Sequence, residues 1–161
     1  MKRRALLLAL LLPGCGYRPL YGSGNERDVV SELRGVSIPE QDTRVGQLIR
    51  NELLSSIRPA GTAENDRYRL DLTPDLRKET VTARTETGAT RASLRLNVTY
   101  RLASIDGKTV AKEGKVFSQV SYDILREPVA DLRAETNALE RAAREAAMDI
   151  RVRISAHFAG G

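Results

Sequence analysis

From Ala92 to Leu102 every second residue is apolar. Ala92, Leu94, Leu96, Val98, Tyr100 and Leu102 fall on one side, and Ser93, Arg95, Asn97, Thr99 and Arg101 on the other. A period of two is that of a strand with one covered and one wet face, a pattern that favours antiparallel pairing. Asp106-Gly107 follows as a tight hairpin turn, and a return strand from about Thr109 to Tyr122 repeats the alternation through Val116, Ser118, Val120 and Tyr122. Upstream, Tyr68, Leu70 and Leu72 alternate with Arg69, Asp71 and Thr73, and Val36 and Ile38 mark a short strand over Gly35 to Pro39. Residues 77–91, rich in Thr, Arg and Glu, read as strand extensions running into a hairpin tip.

Elsewhere the period is 3.6. Asp42 is a candidate N-cap, and Val45, Leu48, Ile49, Leu53 and Ile57 recur at spacings of three and four until Pro59 and Gly61 stop the helix. A second helix is expected from near Pro128, with Asp131 in its first turn, to about Phe158. Its buried stripe reads Leu132, Leu139, Ala143, Ala146, Ile150, Ile154 and Phe158. That helix would run ~45 Å and a dozen-residue strand ~40 Å, so the lengths match. The pattern predicts an α+β two-layer sandwich: two long helices packed on one face of a four-stranded, mostly antiparallel sheet.

The first fifteen residues follow a different logic. Lys2, Arg3 and Arg4 precede an apolar run from Ala5 to Leu12, far shorter than the roughly 20 residues of a membrane-spanning helix. Leu12-Pro13-Gly14-Cys15 then resembles a lipobox, so residues 1–14 read as a cleaved lipoprotein signal and Cys15 as the lipidation site. Cys15 is the only cysteine, which excludes an intramolecular disulfide. The expected modification is covalent: S-diacylglycerol and N-acyl lipid on Cys15, and no other cofactor. Acyl chains contribute about 0.8 kcal/mol per buried CH₂, so several together anchor durably. Residues 15–34, with Gly22, Ser23, Gly24 and Asn25 in a row, read as lipidated N-terminus and tether, and 35–161 as the folded domain.

Processing also changes the electrostatics. The chain carries +5, but 26 basic side chains less the three of the signal leave 23 against 21 acidic ones. A near-balanced chain has no polyanion-binding field, so no nucleic-acid partner is expected.

Directly after the cleavage site stands Cys15-Gly16-Tyr17-Arg18-Pro19-Leu20-Tyr21-Gly22. This run resembles the mature start of LptE proteins of the alphaproteobacterial type. The order strand, helix, three strands and long C-terminal helix ending in His157-Phe158-Ala159 is similar to the LptE layout over the mature chain. The resemblance implies an outer-membrane lipoprotein that partners the LptD β-barrel as plug and folding factor in lipopolysaccharide transport. It implies lipid anchoring on the periplasmic side or within the barrel lumen. Gly16, in place of the Asp linked to inner-membrane retention, agrees with outer-membrane delivery.

Groups for catalysis are sparse, and no enzyme activity is expected. His157 is the single histidine and sits at a helix end, where it can meet free carbonyls. With one His and one Cys, no conventional zinc site can assemble. Gly22-Ser23-Gly24 lacks the flanking strand and helix of a phosphate loop, and the Asn97-Val98-Thr99 sequon lies inside a strand. The candidate contact site is Arg77, Lys78, Arg84 and Arg91, beside several threonines. Arginine binds phosphate and carboxylate oxygens in bidentate fashion, which suits lipopolysaccharide headgroups or the barrel wall. A charged edge that discourages strand aggregation would look the same. Two other classes stay open: a lipoprotein scaffold of another envelope assembly machine, and a hydrolase built on Asp71 and Asp75.

Overall fold

The computed structural model describes residues 26–58, 65–81 and 90–160. Three helices, α1 (Glu26–Arg34), α2 (Arg44–Ile57) and α3 (Pro128–Phe158), accompany four strands, β1 (Val36–Ser37), β2 (Tyr68–Val81), β3 (Thr90–Ser104) and β4 (Val110–Ile124). The sheet order is β1-β2-β3-β4, with β1 parallel to β2 and the other pairs antiparallel. This is the expected α+β sandwich. The helices cover one face of the sheet and the opposite face stays open.

The even-numbered residues of β2, β3 and β4 carry the core. Leu70, Leu72, Ala92, Leu94, Leu96, Val98, Tyr100, Leu102, Val116, Val120 and Tyr122 are all buried against the helices. Each fully buried aliphatic side chain contributes about 1.5–3 kcal/mol, so this register is strongly specified: a slip by one residue would bring arginines inside. The β3–β4 connection is a five-residue loop over residues 105–109, wider than a two-residue turn, with Gly107 at φ +72°. Asp106 Oδ1 accepts from the Lys108 N–H at 3.2 Å and from the Ser104 hydroxyl, which closes the turn. These bonds hold the Asp106 carboxyl below the usual carboxylate range, with the Ser104 hydroxyl the larger cause.

Three elements depart from the sequence pattern. Glu26–Arg34 forms a helix, so the folded part begins well before residue 35 and only residues 15–25 of the expected tether lie outside the described residues. Val29 and Leu33, each 6% exposed, join the core from α1. The nine residues hold three apolar side chains, of which Val30 is exposed, too few to register as a period. The cap of α2 is Thr43, whose hydroxyl accepts from the Gly46 N–H at 3.2 Å, one residue after the expected Asp42.

The third departure is in α3. Its buried face is Ala138, Ala142, Ala143, Ala146, Ala147, Ile150 and Ile154, while Leu132 is 65% exposed and Leu139 half-buried. Short side chains bring this helix close to the sheet. The apolar residues of its first turns, Val129 and Leu132, stay in the open. Pro128 sits at the helix start, as its missing N–H and fixed φ favour.

Among the described residues neither long outer strand is fully paired. Beyond Arg69, β2 has a sheet neighbour on one side only, and β4 is the last strand of the sheet. Pro74 occupies β2 where a missing donor costs least, on an edge.

Candidate interaction face

Register turns the open face into rows. Across β2, β3 and β4 these run Asp71–Arg101–Glu113, Thr73–Thr99–Lys115, Asp75–Asn97–Phe117, Arg77–Arg95–Gln119 and Glu79–Ser93–Ser121, with Arg91 opposite Asp123 beyond them. Nearly every member is charged, an amide or a hydroxyl. The exception is Phe117, 54% exposed in the middle of the face.

Most charges here are neutralised within the face. Arg69 donates to Asp71 at 2.8 Å, Arg77 to Asp75 at 3.2 Å and Arg91 to Asp123 at 3.1 Å, and Arg95 lies 3.6 Å from Glu79. Exposed pairs of this kind contribute only ~0–1 kcal/mol each, so the pairing organises the surface more than it stabilises the fold. Arg101, Glu113 and Lys115 differ. Among the described residues the side chains of these three have no hydrogen bond or ion pair, although Arg101 stands between Asp71 and Glu113 in register. They line an open groove of about 570 Å³ together with Asp71, Thr73 and Thr99.

The four expected contact residues separate. Arg77 and Arg91 share the open face. Lys78 lies on the helix-covered face, where its ammonium donates to Glu135 at 2.6 Å and lies 5.6 Å from the centre of the Tyr122 ring. The Glu135 hydrogen bond raises the Lys78 pKa above the usual lysine range. Arg84, like Cys15, lies outside the described residues. Parity separates Lys78 from Arg77, since an even position on β2 faces the same way as Leu70 and Leu72. The groove is not legible along the chain, because its rows depend on a register between strands that no single strand reveals.

The other constellations singled out in the sequence do not assemble among the described residues. Asp71 and Asp75 lie on the same face two strand repeats apart, ~13 Å, which exceeds the spacing of paired catalytic carboxylates. Each is also tied to an arginine. His157 packs its ring 5.6 Å from that of Phe158, which in turn meets Tyr68 at 5.1 Å. Burial raises the Tyr68 hydroxyl pKa. No group of three metal-ligating side chains occurs among the described residues, and no helix among them is long and apolar enough to cross a membrane.

Helices on one side and a polar face on the other define an α+β two-layer sandwich. Solved structures of the same architecture include a candidate lipoprotein from Caulobacter crescentus CB15. It is 27% identical, with 83% of this chain and 97% of that chain covered at a TM-score of 0.68. A minor lipoprotein from Acinetobacter baumannii is 19% identical, with 75% and 88% covered and a TM-score of 0.59, and it shares the fold. Rare lipoprotein B from Shewanella oneidensis is 21% identical, with 75% and 91% covered at 0.50. No curated protein matches the chain. The LptE family, described as lipopolysaccharide-assembly, matches residues 33–154. The chain belongs to that family.

Proposed function

We propose that this chain is an outer-membrane lipoprotein that partners an LptD-type β-barrel as its plug and folding factor during lipopolysaccharide assembly. The reading rests on family membership, and the observation that carries it is the uncovered sheet face. Three strands of about fifteen residues present rows of charged, amide and hydroxyl groups, a surface suited to the polar interior of a large barrel. A face of this kind recognises by fit and hydrogen bonding, with no bond made or broken. Residues 1–14 are removed, and acyl chains on Cys15 hold the mature chain to the membrane. Arg77, Lys78, Arg84 and Arg91 are the side chains that then meet lipopolysaccharide headgroups or the barrel wall.

Affinity purification of the tagged chain from outer membranes tests this directly. A large β-barrel recovered in equal amount is the expected result. Recovery of a different envelope complex would replace the barrel partnership with the scaffold reading. Alanine at Arg84 and Arg91 together should weaken lipopolysaccharide binding, and unchanged affinity would remove those residues from the contact.

A further inference from the structure

We propose that the exposed stripe of α3 from Arg133 to Val152 rests on an anionic lipid surface, with Met148 and Val152 dipping between the headgroups. The proposal rests on the lipid anchor proposed above and adds how the anchored domain is turned before a barrel encloses it.

Charge on α3 is sorted by side. Four acids of the helix are tied within the fold: Asp131 accepts from the Leu125 N–H, Glu135 from Lys78, Glu145 from the Ser118 hydroxyl and Asp149 from Arg153. Arg133, Arg141, Arg144 and Arg151 instead recur at helical spacing on the side away from the buried alanines, and all four are exposed. Among the described residues the side chains of Arg133 and Arg151 have no hydrogen bond or ion pair. Arg141 meets only the Ser121 carbonyl, at 3.4 Å, and so keeps its charge. Glu140 is the remaining acid of α3, and Glu52 of α2 lies 3.6 Å from Arg144. Four arginines against these two carboxylates leave +2 (4 − 2) along ~27 Å of helix.

Met148 and Val152 complete the stripe. They are 54% and 51% exposed, one turn apart beside Arg144 and Arg151, where burial within the chain gives no reason for either. A small ligand or a peptide needs a groove, whereas the outer side of a helix is convex and a plane can approach it along its length. Arginine stems lie on apolar surface while their guanidinium groups reach lipid phosphates, and apolar side chains enter between the headgroups.

The magnitude suits an anchored domain. Each basic group near an anionic leaflet favours contact by about fivefold, so a net of two gives roughly thirtyfold. That is too little to hold the chain without lipid on Cys15, and enough to set which side of a tethered domain meets the bilayer. The open sheet face is then directed away from the lipid, where a partner can reach it.

The test uses the lipidated mature chain in vesicles of phosphatidylcholine, alone or mixed with phosphatidylglycerol. Acylation occupies the sulfur of the only native cysteine, so Val152→Cys and Thr99→Cys each take a single fluorophore, one on the stripe and one on the open sheet face. Brominated acyl chains quench a fluorophore that touches the bilayer. With phosphatidylglycerol present, the label at 152 should be quenched several-fold more than the label at 99. High salt, or Arg133→Ala, Arg144→Ala and Arg151→Ala together, should remove that difference with melting temperature unchanged. Equal quenching at the two positions, or a difference that ignores both phosphatidylglycerol and the triple substitution, overturns the proposal. A label at 152 that responds to an acidic polypeptide and not to vesicles also overturns it and reassigns the stripe to a protein partner. A chain that fails to float with vesicles removes the anchor itself, an outcome read before any quenching is measured.

Discussion

Gly114 tests how closely the strands and their side chains are fitted. It lies opposite Tyr100 in the β3–β4 register, and a Cβ added there would stand 2.8 Å from the Tyr100 hydroxyl oxygen, 3.0 Å from Cζ and 3.1 Å from Cε1. Ordinary contact begins near 3.4 Å, so the tyrosine must retreat by about half an ångström in an interior packed at crystal density. It has little room, being 1% exposed. Burial raises the pKa of its hydroxyl, against the opposing pull of Arg153, whose guanidinium is held by Asp149 at 2.9 and 3.1 Å. Overpacking costs about 1–3 kcal/mol, and the lost freedom of glycine in the unfolded chain offsets ~0.4–1 kcal/mol of that. Gly114→Ala should therefore destabilise by roughly 1–2 kcal/mol, lowering the melting temperature by about 3–8 °C at this domain size. Tyr100→Phe removes the nearest atom. In a double-mutant cycle followed by thermal and urea unfolding, the two changes should couple favourably by about 1 kcal/mol. A Gly114→Ala protein that melts at or above the parent, or a strictly additive cycle, would refute the reasoning.

Further outcomes follow from the same structure. Ile150→Ala, at a fully buried position of α3, should cost about 2–5 kcal/mol, whereas Leu132→Ala should change stability by under about 0.5 kcal/mol; urea midpoints compare the two. Ile150→Asp should abolish folding by burying an unpaired charge, seen as loss of cooperative melting. The depressed Asp106 carboxyl contributes stability that is fully present above about pH 4 and is lost as pH falls through its folded-state value. Asp106→Asn should accordingly flatten the acid limb of a melting-temperature profile and leave the Lys108 turn weaker at neutral pH. Cys15→Ser should move the chain from the membrane fraction to the soluble fraction, and vesicle sedimentation of the variant would contradict a lipid anchor.

The alternation from Ala92 to Leu102 carried most of the architecture, because a period of two maintained for eleven residues has no helical reading. It placed every buried side chain of β3 except Ser93 and Ala103, which lie on the open side and are nevertheless covered. Residues whose role depends on neighbours remote in sequence were harder to place. Alanine scores weakly as apolar, so a stripe built on Ala138, Ala142 and Ala146 is outshone by Leu132, a residue that lies in solvent. The site shows the same limit. Arg77 and Lys78 adjoin in sequence yet face opposite sides of the sheet, while Asp71, Arg101 and Glu113, spread over more than forty residues, become one row. Charge density along the chain drew attention to the first pair, and hydrogen-bond register alone assembles the second set.

The two borders of the sheet have a consequence for handling the protein. Among the described residues, most of β2 on one side and all of β4 on the other leave main-chain donors and acceptors available to any passing extended segment, the raw material of ribbons that grow chain by chain. Pro74 interrupts one border, and Lys112 and Lys115 lend the other a charge that resists stacking of identical copies. At high concentration, copies of the chain are thus held apart at these borders by little more than one ring and a few ammonium groups.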